Sequence, residues 1–228
     1  MSLAALDRPV WNMLTGPQAA LAQGSNLARR IDPAYGPFAA MRDASAEAQT
    51  AFAELALPGE QLWLVEAEEW PAPPGMRLVR AGELTQMVAH APMAVQPGDD
   101  EAVLLGEPDA AAMAEIALAT EPGPWRELTR RYGQFYGLRR AGRLAAMAGE
   151  RMRPAAGLVE LSAVCTWPEY RGQGLAAQLI RRVMAGFSAR GDVPFLHSFS
   201  ANTKANALYE TLGFTARRTM VATMLVKD

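Results

Sequence analysis

The residues best suited to chemistry lie in two stretches of the C-terminal part. In Val164-Cys165-Thr166-Trp167-Pro168-Glu169-Tyr170-Arg171-Gly172-Gln173-Gly174-Leu175-Ala176, a β-branched strand end runs through a proline loop into a glycine-spaced helix start. The first amides of a helix have no internal acceptor, and the macrodipole adds roughly half a positive charge there, so such a turn can seat an anion. Gly172 and Gly174 allow close backbone approach and φ values that a side chain forbids. Arg171 adds charge at the rim, where part of a diphosphate could be neutralised. Further on, Asn202, Asn206 and Tyr209 stand at i, i+4 and i+7 of a helix, along a single face. Gly213 follows as the left-handed stop that favours glycine.

Taken alone, the glycine turn admits other readings. It could be a tight helix cap with no ligand. Gly172-Gln173-Gly174-Leu175-Ala176-Ala177 also satisfies the dinucleotide pattern G-x-G-x-x-A, with Asp192 about 20 residues on. That acidic residue should end the second strand, yet Asp192 precedes the expected strand 195–200, and little chain follows for a doubly wound sheet. A dinucleotide-dependent oxidoreductase is therefore the minor alternative.

Arg171, Gly174 and Ala176, at the spacing Arg-x-x-Gly-x-Ala, resemble the acetyl-coenzyme A signature of the GNAT acetyltransferases. Val164-Cys165-Thr166-x-Pro168 is similar to their glycine-acyltransferase-like branch, and residues 200–214 resemble the family's second cofactor motif. The resemblance spans roughly residues 99–228. It implies the GNAT fold, an α/β (α+β) arrangement with a mixed central sheet, a splayed parallel strand pair and flanking helices. It further implies acetyl-CoA as co-substrate, with no metal, and transfer of acetyl to a primary amine in a ternary complex. The diphosphate would lie on Arg171, Gly172, Gln173, Gly174, Leu175 and Ala176, and the pantetheine arm against Val164, Cys165 and Thr166. Asn202 or Asn206 would contact that arm or fix the loop, and Tyr209 would act as general acid at the sulfur. A CoA-binding sensor without turnover is the alternative from another class.

The chemistry agrees with these roles. A phenol of pKa about 10 can protonate a departing thiolate of pKa about 8.5 without losing its own proton at neutral pH. An amide of Val164 or its neighbour, left unpaired where the strands splay, would stabilise the oxyanion. The acceptor ammonium must lose a proton, and Glu160, with the alternation parity of Ser162 and Val164, is the candidate base; Glu150 is second. His197 is open between a water relay, substrate binding and core packing, and His90 stands without a motif. Cys165 invites a covalent reading, but no nearby His or Lys in sequence would activate it, so a small buried hydrophobe is the expectation.

The elements that must position these groups read, from residue 99 on, as a strand at 102–105, helical pieces at 108–119 and 125–131, and strands 134–140 and 143–152 about Ala141-Gly142. A β-α-β-α-β run follows: strand 159–166, helix 174–190, strand 195–200, helix 202–212 and strand 214–226. Residues 1–98 form a separate small α/β region, with a strand at 37–41, a helix at 44–57, a strand at 61–65 and a proline-stiffened linker at 70–75. Its role is open between acceptor-binding walls and a decayed second copy of the fold.

Composition bounds the rest. The 228 residues are 50% hydrophobic and 20% charged, with a net charge of -2, typical of a soluble globular chain. No basic field points to nucleic acid, no apolar run approaches a membrane span, and the single cysteine excludes a disulfide framework. A cytoplasmic protein is expected, with a homodimer allowed.

Overall fold

The computed structural model describes residues 2–91 and 94–228. The chain opens with helix α1 (Pro9–Thr15), its proline at the first turn, where the missing N–H has no partner to lose. Strands β1 (Ala22–Gly24), β2 (Ala28–Ile31) and β3 (Ala39–Met41) form a small antiparallel sheet. Helix α2 (Ala46–Ala53) is capped by Ser45, whose Oγ accepts from the Ala48 N–H at 3.3 Å. Strands β4 (Gln61–Glu66) and β5 (Met76–Val88) follow, on either side of the proline-rich connection.

Next come β6 (Val103–Leu104), helix α3 (Ala110–Thr120), β7 (Phe135–Arg140), β8 (Arg143–Glu150) and β9 (Leu158–Thr166). The β7–β8 hairpin closes on Ala141 and Gly142, both left-handed at φ +50° and +81°, as the primed two-residue turn requires. Helix α4 (Leu175–Ala189), β10 (Val193–Phe199), α5 (Thr203–Thr211) and β11 (Thr215–Lys227) complete the chain. Along α4, six apolar side chains from Leu175 to Phe187 are buried against β7, β8 and β9. Each contributes roughly 1.5–3 kcal/mol, enough to anchor the helix whose first turn faces the site.

The expected helical piece at 125–131 is only a 3-10 turn at Thr129–Arg131. The larger departure concerns the division at residue 98. One mixed sheet of eight strands runs in the order β4-β11-β5-β10-β9-β8-β7-β6, so β4 and β5 from the N-terminal part belong to the same sheet as the C-terminal strands. β5 lies between β10 and β11, antiparallel to both. Sequence reading found no element at 76–88. Residues 77–80 are exposed on both faces, Leu78 and Val79 included, and so lack the period-two pattern of a half-buried strand. Two neighbouring strands, rather than alternation, hold β5 in place.

Candidate active site

Parallel pairing between β9 and β10 extends only from Leu158–Val193 to Glu160–Phe195. Beyond that point β9 stays with β8 to Thr166, while β10 stays with β5 to Phe199, so the two strands part. The wedge opens into a cavity of about 400 Å³. Residues 161–166 line one side, His197, Ser198 and Phe199 the other, and Asn202, Ala205, Leu208 and Tyr209 close it. Towards the N-terminal part the wall is Phe38, Trp63, Val65, Leu84, Arg151 and Glu160.

A bulge interrupts β9. Ala163 has φ +51°, and the β8–β9 register slips between Met147 and Gly149. One extra residue reverses the alternation beyond it. Leu161 and Val164 pack on the α4 side, whereas Ala163 and Cys165 pack with α3 on the other. Glu160, next to Leu161, therefore faces away from α4, and the shared parity expected for Glu160 and Val164 does not hold.

At the glycine turn the expectation and the structure agree in geometry. Gly172 and Gly174 both have φ +76°, which a side chain rarely adopts, and a Cβ at either would meet only open space. Gly174 precedes α4 without any side-chain cap, so the first-turn amides face that space. Arg171 is exposed, its Nε donates to the Thr166 carbonyl at 3.2 Å, and no described carboxylate pairs with it. The loop is braced by Arg143, which lies over the Trp167 ring at 4.0 Å and bonds Glu169 at 2.7 Å. An open, cationic, amide-rich cradle of this kind fits a diphosphate. Gln173 stands exposed beside it, while Leu175 turns its side chain into the core and offers only its backbone. Arg171 and Ala176 reach the cavity itself.

On α5 the expected polar face is redistributed. Asn202 caps the helix, its Oδ1 accepting from Ala205, and lines the cavity. Asn206 instead donates to the carbonyls of Phe199 and Ser200, each at 3.3 Å, and so fixes the loop leaving β10. Those carbonyls lie at the end of β10, and Asn206 is the amide within reach. The face towards the cavity is Asn202, Ala205, Leu208 and Tyr209.

Tyr209 packs edge-on against Phe214 with centroids 6.0 Å apart. Burial, with a smaller contribution from the Cys165 thiol, pushes its phenol up to about 12. Cys165 is itself buried, and desolvation lifts its thiol to about 12 against the lowering effect of bonds from Thr120 and the Met147 backbone. A thiol held neutral is a poor nucleophile, which removes the covalent reading.

Glu160 is buried at the narrow end of the wedge. One carboxylate oxygen meets His197 Nδ1 at 2.9 Å, and the other accepts from the Met152 N–H at 3.3 Å. His197 Nε2 lies 3.0 Å from the Gln86 side-chain nitrogen, which also donates to the Leu6 carbonyl at 2.8 Å, while Arg217 donates to the Gln86 oxygen. Those bonds orient the Gln86 amide, so its N–H points at Nε2 and the imidazole proton sits on Nδ1, donated to Glu160. His197 thus borders the cavity with both nitrogens engaged. Glu150, the second candidate base, is excluded from the wedge: Arg153 and Arg190 hold its carboxylate at 2.7 and 2.8 Å. Asp192 joins the same two arginines, and His90 is exposed. With Asp192 ion-paired and the sheet mixed, nothing remains of the dinucleotide reading.

Sequence reading missed Arg151, Gln86 and the wall of Phe38, Trp63 and Leu84. Sheet order draws Trp63, Leu84 and Gln86 to the wedge, a bridge to Trp63 brings Phe38, the β8–β9 pairing brings Arg151, and no local motif marks any of them.

Over nearly its full length the chain is similar to a solved protein from Novosphingobium aromaticivorans assigned to the GNAT acetyltransferases, with 56% identity, a TM-score of 0.93, and 98% of this chain and 99% of that one covered. The chain belongs to the GNAT family. The FR47-like protein family model matches residues 135–222. A GCN5-related N-acetyltransferase from Kribbella flavida shares the fold at 19% identity and a TM-score of 0.63, covering 100% of this chain and 96% of that one. A GNAT acetyltransferase from Colwellia psychrerythraea does so at 14% identity and a TM-score of 0.54, over 86% and 80% of the two chains. No curated protein matches the chain. The protein is thus an acetyltransferase, and GNAT acetyltransferases use acetyl-CoA as co-substrate. Among the described residues no helix is long and apolar enough to cross a membrane, and no cluster of three or more His, Cys, Asp or Glu is gathered for a metal.

Proposed function

We propose that this GNAT protein transfers the acetyl group of acetyl-CoA to a primary amine by direct attack within a ternary complex. The observation that carries the reading is the parting of β9 and β10 beyond Glu160–Phe195, which opens one cavity to both Glu160 and Tyr209.

In this reading the first-turn amides and Arg171 hold the diphosphate, and the exposed edge of β9 aligns the pantetheine arm. The Trp167 N–H bonds the Ala145 carbonyl on the β8 side, so alternation turns the Val164 N–H towards the open wedge. There it donates to the acetyl oxygen as negative charge develops. Glu160 takes a proton from the acceptor ammonium, and the freed nitrogen pair forms the C–N bond. As the C–S bond breaks, its electron pair stays on sulfur and Tyr209 supplies the proton. The nitrogen sheds its second proton as the amide forms, water carries it to the Tyr209 phenolate, and Glu160 returns its own proton to solvent, so the products are the acetamide, the free thiol of CoA and one released proton. The resting bonds from His197 and the Met152 N–H hold the Glu160 carboxylate in the wedge. Residues 1–98 supply the acceptor side of the cavity through Phe38, Trp63, Val65 and Leu84. A single, buried cysteine with no second cysteine to pair fits a cytoplasmic setting.

The test combines two measurements. Acetyl-CoA, but not NAD, should raise the melting temperature. Mixing with acetyl-CoA and a panel of amines should release free thiol, and Glu160→Gln should lower kcat/KM by about 10²-fold or more. Stabilisation without thiol release from any amine would refute transfer and favour a binding-only role.

A further inference from the structure

Arg151 is a cation placed in the acceptor side of the cavity without a counter-charge. The residue is 6% exposed and borders the same space as Glu160. Its guanidinium lies 5.5 Å from the Phe38 ring centroid and makes one long bond, Nη2 to the Pro124 carbonyl at 3.4 Å. Nε and Nη1 have no partner among the described residues, and no described carboxylate forms an ion pair with the group. Glu160, the nearest candidate, is taken by His197 and the Met152 N–H. Glu121 borders the cavity as well but is exposed and unpaired with Arg151.

A buried charge is costly unless paired, and an Arg presents its donors in a planar fork that matches a carboxylate. Among the described residues the other buried arginine is paired, Arg30 with Glu60 at 2.6 Å, as are the buried carboxylates of Glu150, with Arg153 and Arg190, and of Asp99, with Arg181. The exception borders the reaction cavity. The Arg151 N–H donates to the Glu160 carbonyl at 3.1 Å, so the free cation and the proposed base project from bonded neighbours.

We propose that Arg151 docks a carboxylate on the acceptor, making the acceptor an α-amino acid: its ammonium meets Glu160, its carboxylate meets Arg151, and an apolar side chain lies against Phe38, Trp63 and Val65. This rests on the acetyl-transfer reading and narrows its substrate class. Phosphate-bearing amines are the competing outcome.

The assay titrates the CoA-loaded protein with N-acetyl amino acids of apolar side chain, the products expected of the reaction, and with their carboxamides, by calorimetry. The acid should bind about 10- to 100-fold more tightly than the amide, the range of a charge-assisted bond. Arg151→Met, which keeps volume, should bring the two within about 2-fold. The same variant should melt no lower than the parent, because the cation it removes is unpaired in the free protein. A structural arginine would instead lose stability on that change. Equal binding of acid and amide, binding of neither, or a discrimination that survives in Arg151→Met overturns the proposal, as does a preference for phosphoethanolamine over every amino acid in thiol release. Thiol release from amines lacking a carboxylate, at rates equal to the amino acids, would defeat the inference while leaving acetyl transfer intact. Carboxylate binding without thiol release from any amine would do the reverse.

Discussion

In the mechanism proposed above, replacing Tyr209 with Phe removes the proton donor to the leaving sulfur. In water a thiolate leaves readily and needs little help. Against the buried wall of this cavity it needs more: the Cys165 thiol, which borders the cavity but packs with α3, is raised by burial from an ordinary 9.0 to about 12, the limit for a fully desolvated sulfur there. The penalty on a bare thiolate there is roughly 4 kcal/mol, a factor of about 10³ in rate. The Tyr209 phenol, also at about 12, is matched to such a sulfur, so proton transfer between them is close to balanced. Tyr209→Phe should therefore lower the single-turnover rate of thiol release about 10³-fold, with little change in acetyl-CoA affinity. The ring keeps its edge-on contact with Phe214, and no described residue bonds the hydroxyl, so the melting temperature should stay within about 2 °C. The pH dependence carries a second check. Tyr209 acts in its protonated form, and burial raises its pKa, so activity should show no falling limb between pH 9 and 11 and should decline only towards about 12. A rate within about 3-fold of the parent, or a limb near pH 10 that vanishes in the variant, would refute the reasoning.

Cys165→Ala should keep turnover within about 2-fold, and iodoacetamide at pH 8 should label Cys165 about 10³ times more slowly than an ordinary thiol, since a value near 12 leaves about 10⁻⁴ as thiolate. Gly174→Ala forces a side chain to φ +76° and should cost about 1 kcal/mol of stability, while weakening the melting-temperature increase produced by acetyl-CoA. Glu150→Gln should leave kcat unchanged but destabilise the fold by about 1–2 kcal/mol in urea, because Arg153 and Arg190 lose one of the two carboxylates they share and keep only Asp192. A fall in kcat without a fall in stability would return Glu150 to the site.

Deleting residues 1–75 should abolish soluble, folded protein, because it removes β4 from beside β11 and the Leu6 carbonyl from Gln86. An intact melting transition in the truncated chain would contradict this.

The donor side of the site was legible because local backbone chemistry creates it. A left-handed position favours a glycine such as Gly174 wherever the chain goes, a helix start exposes its amides whatever it packs against, and Gly213 stops α5 by its own φ of +90°. Such features need only neighbours in sequence, so the glycine turn from Arg171 to Ala176 shows in spacing, whereas the role expected of Tyr209 came from resemblance to the GNAT motif. The orientation of Glu160 could not. A single left-handed residue, Ala163, inverts the alternation of β9, and nothing about an alanine announces it. The acceptor side was invisible for a related reason. Trp63, Leu84 and Gln86 reach the wedge because β5 enters the sheet between β10 and β11 and β4 pairs with β11, Phe38 follows through its bridge to Trp63, and Arg151 alone arrives by the nearby β8–β9 pairing. Sequence by itself determined an open, amide-rich turn that can seat an anion; sheet order decided what stands opposite it, because most of that wall is made of residues whose proximity exists only after long-range strand pairing.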